Sequence, residues 1–428
     1  MNKRNPFFPG VPASPESFTG RTKEIGAAFD QIYNRSHLAI WGGPGMGKSS
    51  FLEQLISLEV WEKHQLDSSQ AVIVFLNCQS IIPFTPSGFW QEVLSNLKDK
   101  LESEPSLQIE VENFLNKGQT TKESLRQVLR KLGKKHKFVV LLVDNFDAAL
   151  ISNAHYTEAD MQEFLSECRN LAVHSQERKH LSMIVSSLKR LSELGPKLNT
   201  KASPWYNHYL FQSLKPLTDT EIDKLISKAF DVQLQAELKS LIPSITGKHP
   251  ALLQIIGSII YRNLRTGDLP NLEAIVREFE STSKQIFENI WNRCNEDEQT
   301  LLMLLAIFNL EGHLHKKIKF DLSDIKLIFI QQERDLTNLE EQGVVKTNEI
   351  DGKKIYSFTS PNMEKWVVQE VWNTNDDAVK KRQKVFLNLM SKEQVEKVTN
   401  AMNWFWMHKD KVPSTLKLIS TLMGNFHT

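Results

Sequence analysis

Cysteine, net charge and long apolar runs are all scarce in this sequence of 428 residues. The three cysteines, Cys78, Cys168 and Cys294, lie far apart without metal-ligand spacing, so we interpret them as reduced core thiols. Lys and Arg number 52 against 51 Asp and Glu, so a net charge of +1 gives no global argument for nucleic-acid or membrane binding. No segment reaches the roughly 18 uncharged apolar residues of a membrane span. Residues 1–18 lack the apolar run of a signal peptide, which predicts a cytoplasmic protein.

The apolar residues that are present predict an α/β core. Hydrophobic residues make up 40% and charged residues 24% of the chain, and the length suggests about three domains. Five short apolar runs alternate with helical stretches, as expected for a mostly parallel sheet covered on both faces. These runs are HLAIW (37–41), AVIVFLN (71–77), FVVLLVD (138–144), LSMIVSS (181–187) and HYLFQSL (208–214).

The strand signal stops at about residue 216, and the segments that follow are helical in period. From residue 295 the pattern is three helices and then VVKTNEIDGKKIYSF, in which two alternating strands flank Asp-Gly, a strong hairpin signal. Three helices followed by a two-stranded wing are typical of a winged helix. The last fifty residues are also helical in period.

The stretch GGPGMGKSS matches the pattern G-x-x-x-x-G-K-[ST] between a predicted strand and the predicted helix SFLEQLISLEVWEKH. Its glycines let successive N–H groups turn toward a phosphate, and the helix N-terminus adds partial positive charge. Lys48 supplies a charge for the β and γ phosphates, and Ser49 a hydroxyl for magnesium. We predict a nucleoside triphosphate site, with a glycine-rich turn as the alternative. The predicted phosphate-binding residues are Gly42, Gly43, Pro44, Gly45, Met46, Gly47, Lys48, Ser49 and Ser50.

A carboxylate ends the third apolar run. Asp144 stands where a carboxylate can order magnesium, usually through water, although a strand end followed by a helix cap is the alternative. Asn145 occupies the next position, where an acidic water-activating residue is commonly expected, and an amide cannot accept a proton. For Asp147 a catalytic role and a structural role are equally open. With Lys48, Asp144, Asn145 and Asp147 as the catalytic candidates, we predict hydrolysis that is slow or depends on Asp147 or a partner.

The fourth run, LSMIVSS, ends in two serines and is followed by Lys189 and Arg190. In an ATPase core this strand lies between the two Walker strands, so its end can reach the γ-phosphate. Ser187 and Arg190 are therefore candidate nucleotide contacts. The alternative is an ordinary strand terminus.

Together these motifs resemble the STAND class of signalling ATPases, and within it the archaeal-type ATPase and bacterial NLR-like proteins, which are related to origin-recognition-type ATPases. The resemblance covers about residues 5–372. It is carried by NPFFPGVPASPESFTGRTKE, the Walker motifs GGPGMGKSS and LLVDNFD, SPWYNHYLFQSLKPL, TGKHPALLQ and YSFTSPNMEKWV.

The resemblance implies a P-loop sheet of order 5-1-4-3-2, followed by a helical lid and a winged helix that close over ATP or ADP. It implies that Phe18, Gly20 and Arg21 line the adenine side. It also implies that Asp144 holds Mg²⁺ and that Pro250 of the lid touches the base or ribose. Such proteins resemble switches that are closed with ADP and open to oligomerise with ATP.

The sequence departs from the family at three positions. Asn145 replaces the usual second acidic residue, and Lys248 stands where the lid often has a second glycine. An arginine often directly follows the sensor serine, whereas here two residues precede Arg190. These departures bear on the hydrolysis rate and γ-phosphate sensing rather than on nucleotide binding.

We predict five segments. They are an N-terminal extended segment and helix of the nucleotide site (1–36), a P-loop ATPase domain (37–215), a helical lid (216–292), a winged helix (293–372) and a C-terminal helical extension (373–428).

The predicted function is a slowly hydrolysing ATP switch in signalling or defence, working with another protein as sensor or effector and forming a homo-oligomer with ATP. The alternatives are a DNA-associated ATPase of the origin-binding or transposition-regulator type, and a scaffold stabilised by nucleotide. The third helix of the winged segment, QQERDLTNLEEQGVV, is net acidic and would repel phosphates, so nucleic acid is not favoured. The basic stretch 126–137 and the aromatic cluster 404–406 are each either a partner contact or a structural feature.

Overall fold

The computed structural model describes residues 5–196, 203–230, 232–266, 272–313, 325–350, 352–372 and 391–407. The chain divides into two compact units. The sheet unit comprises Pro12–Gly42 and Gly47–Leu214, and the helical unit comprises Met1–Val11, Gly43–Met46 and Lys215–Thr428. The finer division into five segments stays a prediction.

The sheet unit is built on five parallel strands. They are β1 (His37–Trp41), β2 (Ala71–Asn77), β3 (Phe138–Asp144), β4 (Leu181–Ser187) and β5 (Tyr209–Ser213). Their order is β2-β3-β4-β1-β5, which confirms the predicted fold class and the order 5-1-4-3-2. Every position of β1, β3 and β4 is buried, because helices cover both faces of a parallel sheet.

Seven α-helices surround this sheet in the described residues. They are α1 (Thr22–Asn34), α2 (Lys48–Gln54), α3 (Leu58–Lys63), α4 (Pro86–Asp99), α5 (Pro105–Asn116), α6 (Lys122–Lys134) and α7 (Glu158–Arg169). The single helix predicted after the glycine-rich loop is wrong, because the chain turns between α2 and α3. The Trp61 indole donates a hydrogen bond to the Leu55 carbonyl at 2.8 Å and so stabilises this turn.

The helical unit contains α8 (Asp219–Ala229), α9 (Val232–Thr246), α10 (Pro250–Thr266), α11 (Leu272–Arg293), α12 (Glu296–His313), α13 (Ile325–Gln331), α14 (Glu333–Glu341), β6 (Val345–Ile350), β7 (Lys353–Phe358), α15 (Pro361–Trp372) and α16 (Lys392–Met407). Strands β6 and β7 pair antiparallel, as the hairpin pattern predicted. The assignment of this region as a winged helix stays a prediction. The side chains of the aromatic cluster 404–406 lie outside the described part of the chain.

The N-terminal residues belong to the helical unit because they bind α10. Asn5 donates a hydrogen bond to Ser258 at 2.9 Å, and the ring of Phe7 packs against that of Phe230 with centroids 5.6 Å apart. A Cβ at Gly257 would lie 2.2 Å from the Phe7 ring, so only glycine leaves room for this aromatic side chain. No helix in the described ranges is long and apolar enough to cross a membrane.

Candidate functional site

The glycine-rich loop joins the buried strand β1 to helix α2. Gly45 and Gly47 have φ angles of 75° and 88°, a backbone region that glycine enters without steric cost. The Gly42 N–H donates to the Ser187 carbonyl at 3.3 Å and ties the start of the loop to the end of β4. Lys48 is only 7% exposed, and its ammonium group donates to the Gly42 carbonyl at 2.7 Å. The lysine charge is thus held against the loop.

Asp144 lies at the carboxyl end of β3 and is 3% exposed. The Ser49 hydroxyl donates to its Oδ2 at 2.6 Å, and the Ser186 hydroxyl and the Asn145 N–H donate to its Oδ1. Hydroxyl and carboxylate oxygens are the ligands that Mg²⁺ takes, so the Ser49–Asp144 pair fits a magnesium ion. The structure brings together the two residues that the sequence proposed for this role.

Asn145 has a left-handed backbone with a φ of 52°. Asparagine enters this region more readily than most residues, which gives a local reason for an amide here. Its side-chain nitrogen donates to Asn77 Oδ1 at 3.0 Å, and its backbone N–H lies 3.1 Å from the Ser186 hydroxyl. Asn77 is the last residue of β2 and pairs with Asp144 in the sheet register. A row of polar groups therefore follows the carboxyl ends of β2, β3 and β4.

Asp147 binds the loop that follows β4. Its Oδ1 accepts the Leu188 N–H at 2.8 Å, which supports a structural role. The Ser187 hydroxyl donates to the Lys189 carbonyl at 2.7 Å, and the Arg190 guanidinium lies 5.0 Å from the Trp41 ring centroid. The predicted nucleotide contacts of Ser187 and Arg190 stay predictions.

Glu53 and Asn77 are polar residues of this region that the sequence analysis missed. Burial raises the pKa of Glu53, and the Asp144 charge raises it further. Glu53 follows Ser49 by four residues on α2, and residues at this spacing share a helix face. This spacing is the signal that could have identified it.

The segment predicted to line the adenine side contacts the start of α2 through Ala13, whose N–H donates to the Ser50 hydroxyl at 3.0 Å. Phe18 is half-buried, and Gly20 and Arg21 are both left-handed, with φ angles of 85° and 60°. Arg21 is buried and forms an ion pair with Glu24 at 3.6 Å. The adenine contact stays a prediction for all three residues.

The tip of the loop, residues 43–46, belongs to the helical unit. The Pro44 carbonyl lies 3.0 Å from His249 Nε2, and the Gly45 carbonyl accepts the Ala251 N–H at 3.1 Å. His249 is 2% exposed, and Pro250, the proposed base contact, begins α10 between these two residues.

Two glycines permit this close approach of the loop tip. A Cβ at Gly43 would lie 2.6 Å from the Gln342 carbonyl oxygen, and one at Gly45 would lie 2.7 Å from the Ala251 Cβ. Both contacts are too short for a real side chain. The glycines are therefore required by packing as well as by the phosphate geometry predicted from the motif.

Lys248, which replaces a glycine of the family pattern, also has a left-handed φ of 64°. Its backbone carbonyl accepts the Leu217 N–H at 3.0 Å, and its ammonium group pairs with Asp219 at 2.7 Å. The lysine thus keeps a conformation that glycine would adopt without strain. These two contacts stabilise it there.

The basic stretch 126–137 is largely ion-paired inside the sheet unit. Arg126 and Arg130 bind Glu177 at 3.1 and 2.8 Å, and Lys137 binds Glu104 at 3.0 Å. Lys131 and Lys135 pair with Glu110 and Glu104. These pairs support the structural alternative over a nucleic-acid contact.

The family described as "AAA domain" matches residues 31–194. This part of the chain is an AAA-type P-loop ATPase domain. It contains β1 to β4, the glycine-rich loop and the Asp144 cluster. Among proteins of curated function, none matches the sequence.

Two solved archaeal structures share the fold of this chain. The Walker-type ATPase PABY2304 of Pyrococcus abyssi is 15% identical, with a TM-score of 0.53 over 83% of this chain and 97% of that one. The ORC2 protein of Aeropyrum pernix, in ADPNP–ADP complexes, is 12% identical, with a TM-score of 0.51 over 86% of this chain and 97% of that one. At such identities the likeness shows the fold alone.

Proposed function

We propose that this protein is a STAND-type molecular switch that binds ATP and ADP with Mg²⁺ and hydrolyses ATP slowly. The bound nucleotide controls the conformation of the helical unit, and with it oligomerisation or the engagement of another protein in signalling or defence. The ordered motifs that resemble the STAND class support this role. The structural observation that carries it is the bonding of the loop tip to His249 and Ala251.

The coupling follows from the rigidity of the peptide bond. The Pro44 carbonyl shares one planar peptide with the Gly45 N–H, and the Gly45 carbonyl shares the next with the Met46 N–H. In a phosphate loop the N–H groups are the phosphate donors. A change in the phosphate they bind therefore reorients the same planes whose carbonyls bond to His249 and Ala251.

The other residues of the site bind different parts of the Mg²⁺–nucleotide complex. Lys48 places a positive charge beside the phosphates, and Ser49 and Asp144 hold the magnesium ion. When bound, Mg²⁺ neutralises charge on the β and γ phosphate oxygens. The hydroxyl of Ser186 and the N–H of Asn145 fix the orientation of the Asp144 carboxylate.

Slow hydrolysis follows from the residue after Asp144. Proton transfer from the attacking water needs a base within hydrogen-bond reach, and the Asn145 amide cannot act as one. Asp147, whose Oδ1 accepts the Leu188 N–H, is the other carboxylate of this region, so hydrolysis depends on Asp147 or on a partner protein. The protein therefore holds ATP for longer than an ATPase with a second carboxylate at position 145 would.

The free energy needed to open the switch suggests that a second protein also binds. Moving a switch from almost fully closed to almost fully open takes about 5.5 kcal/mol of differential binding. The γ-phosphate contacts supply part of this free energy, and a sensor or effector protein supplies the remainder. Duplex DNA is a poor candidate for this partner, because Glu333, Asp335, Glu340 and Glu341 outnumber Arg334 along α14 and its end.

Small-angle X-ray scattering tests the switch. Wild-type protein is measured with saturating Mg-ADP and with a non-hydrolysable ATP analogue, after calorimetry has verified that both bind. We expect different scattering curves for the two nucleotides. The Lys48→Ala variant should give one curve under both conditions, and Lys63→Ala, at an exposed position of α3, should behave like wild type. Identical wild-type curves with both nucleotides bound would contradict the proposal.

A further inference from the structure

A polar cavity lies in the sheet unit, at the amino ends of the strands. Its volume is about 410 Å³, within the range of small-molecule sites. His37, the first residue of β1, and His208, which precedes β5, both line it. Because the strands are parallel, this end of the sheet is opposite the end that carries Asp144.

The charges of this cavity are all positive. Arg35, Arg178 and Lys179 line it, and no Asp or Glu is among the described residues of its wall. Glu177 precedes two of these cations in sequence, but it is 3% exposed and bound by Arg126 and Arg130 of α6. Its charge is therefore neutralised by α6, and no described residue of the cavity wall compensates the three cations.

Arg35 is held in place without a carboxylate. Its Nη1 donates to the carbonyls of Ile32 and Tyr33 at 2.6 and 2.8 Å, and its guanidinium lies over the Phe138 ring. Its backbone is left-handed, with a φ of 55°. A guanidinium carries five N–H donors, so further donors of Arg35 can reach a ligand.

Arg178 is positioned by an unusual turn. Residues 170–174 form a π-helix, a feature that often occurs at functional sites. The Val173 carbonyl of this turn accepts a hydrogen bond from Arg178 Nη1 at 2.7 Å. The π-turn and the left-handed Arg35 thus both position cations of the same cavity.

The two histidines supply an uncharged wall. His37 Nδ1 accepts the Met183 N–H at 3.0 Å, and Nε2 lies 3.3 Å from the Ala172 carbonyl, an arrangement that suits the neutral ring. Burial lowers the pKa of His37 to about 4 and that of His208 to about 3. The His208 ring lies edge-on to the His37 ring, with the two centroids 5.5 Å apart. The two neutral rings therefore offer a ligand an uncharged surface.

We propose that this cavity is a second anion site, which binds a small phosphorylated molecule. Its phosphate lies among Arg35, Arg178 and Lys179, and its organic part lies against the rings of His37 and His208. Guanidinium groups suit this ligand because their paired N–H donors match phosphate oxygens. The inference does not depend on the proposed switch.

Titration calorimetry with ribose 5-phosphate tests the second site. The protein is first saturated with Mg-ADP, so that the phosphate loop does not take up the probe, and ribose serves as the uncharged control. We expect binding of ribose 5-phosphate and none of ribose. The double variant Arg178→Ala, Lys179→Ala should weaken binding at least about tenfold, because hydrogen bonds to a charged group are lost.

Two further variants distinguish loss of this site from a general effect of removing positive charge or of unfolding. Lys63→Ala, Lys134→Ala removes the same charge at exposed positions of the sheet unit and should bind like wild type. Lys179→Glu reverses one charge where no hydrogen bond within the described residues is lost, so it should weaken binding in a folded protein. The proposal is overturned if ribose 5-phosphate fails to bind at millimolar concentration or if the Arg178 and Lys179 variants bind it like wild type. It is also overturned if duplex DNA binds in its place.

Discussion

The two ends of the central sheet carry two different arrangements of charged groups. At the carboxyl end, one lysine and the N–H groups of a loop stand beside a carboxylate held by Ser49 and Ser186. At the amino end, three cations face a cavity whose described wall has no carboxylate. In the proposed nucleotide site a metal ion offsets the charge of Asp144, whereas the proposed amino-end site has no such charge to offset. We therefore expect Mg²⁺ dependence to distinguish the two sites.

The largest expected effect is at Lys48. Replacing it with alanine removes a charge-assisted contact worth roughly 1.5–3 kcal/mol, so ADP affinity should fall about tenfold to a hundredfold. The amino-end cavity should keep its affinity for ribose 5-phosphate. Calorimetry on Lys48→Ala and on the control Lys63→Ala measures both, and unchanged ADP binding by Lys48→Ala would contradict the assignment.

The second-largest expected effect is at Asp144 and concerns the dependence of ATP binding on Mg²⁺. Asp144→Asn removes the charge that attracts Mg²⁺, so most of the gain in ATP affinity on adding Mg²⁺ should disappear, by about tenfold. ATP affinity in EDTA should be unchanged or higher, because a negative group has been removed. Ribose 5-phosphate binding should not respond to EDTA. A variant whose ATP affinity still rises with Mg²⁺ as in wild type would place the ion elsewhere.

The smallest expected effect is a change in stability at Glu177. This residue binds Arg126 and Arg130 of α6 and precedes Arg178 and Lys179 of the cavity wall in the sequence. Burial alone would raise the pKa of Glu177, but hydrogen bonds from Arg130 and Arg126 outweigh it and hold this pKa below its ordinary value. Its stabilising contribution is therefore present above about pH 4.5 and is lost as the pH falls through the lower folded-state pKa.

We expect Glu177→Gln to lower the free energy of unfolding by about 1 kcal/mol at pH 7, since both arginines lose a charged acceptor. The difference from wild type should begin to shrink below about pH 4.5 and should vanish as the pH falls through the lower folded-state pKa, where the native carboxyl becomes neutral. Urea unfolding at pH 7 and at acid pH measures this. A difference that stays constant with pH would show that the ion pairs contribute nothing.

Local patterns predicted the sheet and the motifs well. The runs of β1 to β4 match the observed strands because apolar stretches that short, bounded by polar residues, suit buried parallel strands. The phosphate loop was found because its residues are contiguous and its chemistry fixes their spacing. The break between α2 and α3 was missed because the hydrogen bond from Trp61 to Leu55 has no signature in the hydrophobic period.

The features that the sequence did not predict are contacts between segments that are far apart in the chain. The cations of the amino-end cavity come from residues after α1 and before β4, and only the strand order brings them together. The contact of Gly43 with Gln342 likewise joins residues some 300 positions apart. A single sequence carries no signal for such proximity, whereas Lys48, Ser49 and Asp144 follow known motifs.

In the proposed switch, the nucleotide acts on the helical unit through the loop tip. Hydrogen–deuterium exchange of the peptide containing Ala251, whose N–H bonds to the Gly45 carbonyl, tests it most directly. We predict that this amide exchanges at different rates with Mg-ADP and with a non-hydrolysable ATP analogue in wild type, and at one rate in Lys48→Ala. Equal exchange in wild type with both nucleotides bound would contradict this coupling.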